Sequence, residues 1–441
     1  MKKTPIDSLI VIPVSKLIHS SFASGIILFI SVIAALIIAN SPWSFSFNEL
    51  WEYNFSVKLG SHQVSKSLLH WINDGLMAIF FFVIGLELKR EIMNGELSNP
   101  KNAIMPIAAG IGGMIVPALI FIAFNHSGEA SNGWGIPMAT DIAFALGVLH
   151  FLGNKIPLSL KIFLTVLAIA DDIGAVLVIA FFYTSEISMY SLGIASLFLS
   201  IMFIANYLGV RSLLFYSIVG LGGFWLSFSN TGIHTTISGV LAAFAIPGDV
   251  KIDSSRFVSK MKELLSKFNP NSNGNSSTLV SNDQLHLAQK MKVHVDAAIT
   301  PLQRMENMLH PIVAFIILPL FALANSGVTF DNHILSDLLS PITYGIILGL
   351  VFGKVVGVTI MVKLVRILNL AKMPQDINWR HIIGVGFIAG IGFTMSLFVA
   401  SLALTNEDHI SQAKTGILFA SILSGLVGFI ILKQPSKNES I

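Results

Sequence analysis

Apolar residues run through this chain in twelve blocks, at about 22–40, 68–93, 103–125, 133–151, 157–183, 188–207, 212–229, 232–247, 309–328, 340–366, 380–404 and 411–432. A bilayer's hydrocarbon core is about 30 Å thick and takes roughly 20 helical residues to cross. Blocks near that length predict helices; barrel strands would read as ten-residue segments of alternating polarity. The pattern therefore predicts an all-α polytopic membrane protein with 12 transmembrane helices. An even number of spans puts both termini on one side.

Lysine and arginine set the orientation, because inside loops carry their excess. With the N-terminus inside, 23 of the 27 fall in inside segments and only Lys58, Lys66 and Lys414 fall outside. The remaining cation, Lys354, lies within the tenth span. A count wrong by one span would scramble this bias. Composition agrees: only 12% of the 441 residues are charged, against about 25% in soluble domains. There is no cysteine, hence no disulfide or thiol chemistry. The N-terminal MKKTPIDSLI lacks a small-residue cleavage site, so the first span is expected to be retained. The chain reads as one transmembrane domain over 1–441.

Two loops are long. Residues 41–67, outside, hold Trp43, Phe45, Phe47, Trp51, Tyr53 and Phe55; their partial alternation predicts a short β-hairpin at the membrane surface. Residues 248–308 form an enlarged inside loop. Its Asn269–Thr278 stretch, NPNSNGNSST, is a flexible linker by composition. The flanking Phe257, Met261, Leu264, Leu265 and Leu287, Met291, Val295 recur at helical spacing, as surface helices do. Regulation and simple tethering fit them equally.

Polar residues inside the spans carry the chemistry. Leu164–Ile179, LTVLAIADDIGAVLVI, is apolar but for Thr165, Asp171 and Asp172. An acid at a helix centre costs about 2.5–3.5 kcal/mol and usually faces a functional cavity. Two adjacent acids point about 100° apart, so one structural partner cannot satisfy both. Asp141 follows Gly135 and Pro137, which argue that span 4 is interrupted. Span 11 carries Gly384, Gly386, Gly390 and Gly392 within nine residues. Spans 3–5 begin inside and spans 10–12 outside, so 4 and 11 are middle members of two inverted repeats. Interrupted helices in such corresponding places point to a transporter's binding site. Broken helices expose partial charges at their free ends; Asp141 and Lys354 are the candidate acid and base to offset them. A structural ion pair is an equal reading for Lys354. Asp74 lies near the outer end of span 2, where solvation is easy, and Glu87 lies deeper, followed by Lys89, Arg90 and Glu91 at the inner face. His234 reads first as a capping or interfacial residue, and Glu306 and His310 stand at the inner entry of span 9.

At these residues the chain closely resembles the NhaA family of bacterial sodium/proton antiporters, itself an example of inverted repeats with broken helices. The resemblance is carried by Leu86–Glu91, Ala139–Gly147, Leu164–Val178, Gly232–Gly239, His310–Val328, Gly353–Gly357 and Gly384–Ala403, in order along nearly the whole chain. It implies an exporter of Na⁺ or Li⁺ in exchange for H⁺ in the bacterial inner membrane, electrogenic and pH-regulated, with no cofactor and no nucleic-acid partner. Asp171 and Asp172 would be the ion and proton site, with Asp172 the principal ligand and Thr140 lining it. Asp141 and Lys354 would balance the half-helix ends, and Lys354 would also pair with Asp171. Glu87, Arg90, Glu91, Glu306 and His310 would form an inner pH-sensing cluster, joined functionally by His234. The hairpin would make a homodimer contact. Asn307 and Gln303 depart from residues common in the family, which bears on the pH set-point.

Hard cations such as Na⁺ take oxygen ligands, which the acids and Thr140 supply. The alternatives are a sodium-coupled solute symporter, which would move no protons on Na⁺ alone, an intramembrane aspartyl protease and a channel. Asp141 and Asp172 could mimic a protease dyad, but the chain lacks a GxGD motif; a channel would be expected to carry a ring of exposed acids and to conduct faster than a carrier.

Overall fold

The computed structural model describes residues 21–59, 62–153, 156–184, 187–268, 281–329 and 337–434. The linker at 269–278 and the inside cations Lys2, Lys3, Lys16, Lys155 and Lys437 lie outside them. The order is α1 (Ser21–Ala39), α2 (Ser44–Glu52), β1 (Asn54–Leu59), β2 (His62–Ser67), α3 (Leu68–Asn94), α4 (Pro100–Phe124), a 3₁₀ helix (Glu129–Met138), α5 (Ile142–Phe151), α6 (Leu158–Phe182), α7 (Met189–Tyr207), α8 (Leu213–Phe228), α9 (Thr236–Ala245), α10 (Ser254–Lys267), α11 (Asn282–Ala298), α12 (Pro301–Asn325), α13 (Pro341–Ile367), α14 (Trp379–Ala389), α15 (Phe393–Ala403) and α16 (Glu407–Lys433).

The helix starts are written locally. Asn99, Ser188, Ser212, Thr300, Ser340, Asn378 and Asn406 each accept a backbone N–H as N-cap, an arrangement worth about 1 kcal/mol apiece. Pro100, Pro301 and Pro341 follow three of them, where a missing N–H costs nothing.

Among the described residues, eight helical stretches are long and apolar enough to cross a bilayer, the 3₁₀ helix with α5 counting as one, and up to ten when the two bent pairs, α1 with α2 and α14 with α15, each count as one span. Outward side chains such as Ile30, Ile37, Phe181, Leu197 and Leu214 are exposed, as lipid-facing positions of a multi-pass membrane protein are. The block at 232–247 contains only the ten residues of α9, about 15 Å of rise. An irregular Gly232–Thr235 stretch supplies the rest of its length.

The helices pack in two groups. One comprises α4, the 3₁₀ helix, α5, α6 and α13–α16; the other comprises α1, α3, α7–α9 and α12. In the first, α4 crosses α13 so closely that a Cβ on Gly357 would lie 2.0 Å from the Gly112 carbonyl oxygen, and one on Gly112 would lie 2.3 Å from that of Gly357. Only glycine permits this backbone contact. The 41–67 loop contains the antiparallel hairpin β1–β2, with Asn54 opposite Ser67 and Leu59 opposite His62. It also contains α2, unforeseen in the sequence, which buries Phe47 and Trp51. α10 and α11 pack on each other, with Leu264 buried. On the exposed face of α10, Lys260 and Lys267 bracket Glu263 and hold its carboxyl down at about 2.

Candidate functional site

Two helices break side by side. After the 3₁₀ helix, Ala139 is extended and Asp141 takes the N-cap of α5. Opposite, α14 stops at Ala389, and α15 restarts at Phe393 after a bend of 47°. Asp141 joins the two. Its N–H donates to the Ile391 carbonyl at 2.7 Å. Its Oδ1 accepts from the Phe144 N–H at 3.1 Å, and its Oδ2 accepts from the Thr394 N–H at 3.0 Å and from the Thr394 hydroxyl. One carboxylate thus sits on the positive N-terminal ends of both α5 and α15.

Thr140 bridges in the other direction. Its Oγ1 lies 2.7 Å from the Ala389 carbonyl oxygen and 2.6 Å from Asp171 Oδ2, with Lys354 Nζ at 3.0 Å. A hydroxyl has one hydrogen to give. With Lys354 donating to it, that hydrogen goes either to the C-terminal end of α14 or to Asp171. Lys354 also donates to Asp171 Oδ2. It sits where a wide helical turn, Gly349–Gly353, returns to regular α13, a feature frequent at functional sites. Asp141 therefore occupies positive helix ends, whereas the lysine's charge meets Asp171 and reaches the Ala389 carbonyl only through Thr140.

Asp171 and Asp172 lie about 20 Å along α6 from its start. Asp171, Lys354 and Thr140 are 0% exposed, Asp172 1% and Asp141 2%. The 100° between neighbouring helix positions separates the two acids. Asp171 turns to Lys354 and Thr140, while Asp172 lines a cavity of about 130 Å³ shared with Asp141 and Thr394. Apolar Phe80, Val83, Val313 and Leu318 form its walls, and Glu87 and His310 line it too. Asp172 Oδ1 and Asp171 Oδ1 are buried with no hydrogen-bond partner among the described residues. Buried carboxylate oxygens left so need a proton or a cation, and Asp141, Thr394 and Glu87 add hard oxygens to the lining beside the His310 ring and the Met395 sulfur.

A second cluster gathers where the C-terminal turns of α3 meet the N-terminal turns of α12. Arg90 engages Glu306, lies 2.9 Å from Glu91 and lies 3.8 Å from Glu87. His310 stands on the same helix as Glu306, one turn on. His234 belongs elsewhere. Its Nδ1 is 3.0 Å from Thr236 Oγ1 and its Nε2 is 3.8 Å from Asp74, which also pairs with His70 at 3.1 Å. Asp74 and Glu87 are 13 positions apart on α3, about 20 Å of rise, so the structure leaves His234 out of the Glu87 cluster. Sequence reasoning missed Thr394. Its only signal was a hydroxyl just after the glycine break of span 11, where a helix restart needs polar company.

The family described as Na⁺/H⁺ antiporter 1 matches residues 15–432. The chain belongs to that family. Na(+)/H(+) antiporter NhaA of Oleidesulfovibrio alaskensis is 46% identical over 429 residues, covering 97% of this chain and 95% of the relative. NhaA 1 of Psychromonas ingrahamii is 45% identical, with 94% and 95% covered. NhaA of Wolinella succinogenes is 43% identical, with 94% and 91% covered. The family match over residues 15–432 spans both broken helices, α6 and α13, and so takes in the whole site.

Proposed function

We propose that this chain is a Na⁺(Li⁺)/H⁺ antiporter of the bacterial inner membrane, with twelve spans, inverted repeats at spans 3–5 and 10–12, and both termini cytoplasmic. The observation that carries this reading is Asp172: a buried carboxylate with an unpartnered oxygen, lining a cavity that also reaches Glu87 and His310. Family membership supports the same reading.

The mechanism follows from competition. A proton and a hard cation cannot both occupy Asp172. Facing the cytoplasm, the site exchanges protons for Na⁺; facing outward, it does the reverse. Thr140 and Thr394 offer hydroxyl oxygens close by, and Asp141 is the brace that holds the two half-helices on either side. The Asp171–Lys354 pair is a second proton store. When the incoming cation, rather than a proton, engages Asp171, Lys354 loses its counter-charge and its buried ammonium releases a proton as the cation is taken up. Movement of that second proton would make exchange electrogenic. The α4, α5, α6 and α13–α16 group would alternate access against the α1, α3, α7–α9 and α12 group. The Glu87, Arg90, Glu91, Glu306 and His310 cluster, on the wall and at the end of the cavity, would set the pH response, and the β1–β2 hairpin would pair copies in a homodimer.

The test uses proteoliposomes with an acid interior and a fluorescent ΔpH probe. Adding NaCl or LiCl should collapse ΔpH, while KCl and choline chloride should not. Asp172→Asn should abolish the response while the protein still assembles. Normal exchange in that variant would defeat the site assignment.

A further inference from the structure

A second cavity shares no lining residue with the one that holds Asp172. It is a groove of about 570 Å³ between α1 of one helix group and α5, α15 and α16 of the other, lined by apolar residues except for Ser421. Phe29, Gly147 and Gly425 form its sides, and Ile391 and Phe393, which flank the break between α14 and α15, lie in its wall. Ile26, Phe29, Ile422 and Leu426 along it are exposed, so it opens toward lipid.

One end is marked by charge. Phe429 lines the groove, and Lys433, the last residue of α16, holds its ammonium 5.7 Å from the centre of that ring. Two residues before Lys433, the Ile431 carbonyl accepts from the Arg380 guanidinium. Nearby on α14, Trp379 carries Arg366 over its ring at 5.9 Å. Cations over aromatic rings at the end of a membrane helix mark the headgroup level.

We propose that this groove seats an acyl chain of an anionic phospholipid from the leaflet at the basic end, with its phosphate at Lys433 and the chain running toward Ile391 and Phe393. An apolar slot at hydrocarbon depth cannot hold a polar solute, and Lys433 favours a negative headgroup. The lipid would fill the seam between the two helix groups at the level of the break. This proposal does not depend on which ions are carried.

The experiment begins with full-length protein stripped of lipid in detergent. It is then supplied with phosphatidylglycerol or phosphatidylcholine of matched chains, and bound lipid is counted by native mass spectrometry. The wild type should hold phosphatidylglycerol in preference. Gly147→Leu should lose the bound lipid. A Cβ at Gly147 meets nothing within 4 Å, so this variant fills the groove without a backbone clash. Lys433→Gln should cut the headgroup preference about fivefold, the effect of one lysine at a charged surface. As a check independent of the glycine variant, Phe29→Trp should gain fluorescence that brominated phosphatidylglycerol quenches more than brominated phosphatidylcholine. Equal retention of the two lipids by the wild type, undiminished binding in Gly147→Leu, or cross-links placing a second copy in the groove would each overturn the proposal.

Discussion

Breaking the Asp171–Lys354 pair from either side should cost far more than removing both partners. Both groups are wholly buried, and neither lines the cavity that holds Asp172, so water screens the pair little. In Asp171→Asn, Lys354 keeps its charge with only amide and Thr140 oxygens to meet it. In Lys354→Met, Asp171 keeps a charge with only the Thr140 hydroxyl. Stranding one partner of a buried pair costs about 3–5 kcal/mol, whereas replacing both is often close to neutral. The double variant should therefore be more stable than either single one, and a near-neutral double set against two such singles gives a coupling energy of roughly 6–10 kcal/mol in magnitude. The assay is equilibrium unfolding in mixed detergent micelles, run as a double-mutant cycle. The two penalties should bend oppositely with pH. A stranded ammonium can shed its proton, so the Asp171→Asn cost shrinks as pH rises. A stranded carboxylate can take one, so the Lys354→Met cost shrinks as pH falls. Additive single effects within about 0.5 kcal/mol, or penalties that ignore pH, would refute the pairing.

Thr394→Val removes one of the two donors on Asp141 Oδ2; a hydrogen bond to a charged group is worth about 1.5–3 kcal/mol, so stability should fall by that order and Thr394→Ser should restore it. Competition at Asp172 predicts that the apparent KM for Na⁺ rises as pH falls, by up to about tenfold per pH unit for one competing proton; a pH-independent KM with a changing maximal rate would contradict it. If Asp171 and Lys354 contribute a second proton, an imposed membrane potential should change the rate in proteoliposomes, and an indifferent rate would remove that proton from the cycle. Glu306→Gln, which unties Arg90 from α12, should shift the pH profile of exchange without abolishing it, and an unmoved profile would make the cluster purely structural.

What could be read from the sequence tracked the energetic cost of each residue in its setting. Asp171, Asp172 and Lys354 announced themselves because a charge in an apolar block is expensive wherever it points. The cluster around Arg90 was legible through the resemblance, since its members stand on α3 and α12, far apart in sequence. Thr394 stayed hidden because a threonine in an apolar helix is ordinary; its role arises only when the restart of α15 comes to face Asp141 from 253 residues away. The helix α2 was hidden for a related reason. Its aromatic residues alternate locally as a strand's would, and the packing that makes it helical comes from buried Phe47 and Trp51. His234 reads from the sequence as a capping or interfacial residue, and the fold places it beside Thr236 and Asp74, about 20 Å of helix from Glu87.

The glycine crossing of α4 and α13 has a mechanical consequence. Two backbones in contact, with the Gly357 Cβ position only 2.0 Å from a Gly112 oxygen, have no side-chain layer to slip through. Sliding either helix by a residue would drive a side chain into the other's main chain. α4 and α13 are thus riveted, and Lys354, three residues from Gly357, travels with α4 as cargo of one rigid plate. Whatever rearrangement exposes the ions to the opposite side must take its slack at the softer seams, where side chains rather than backbones meet.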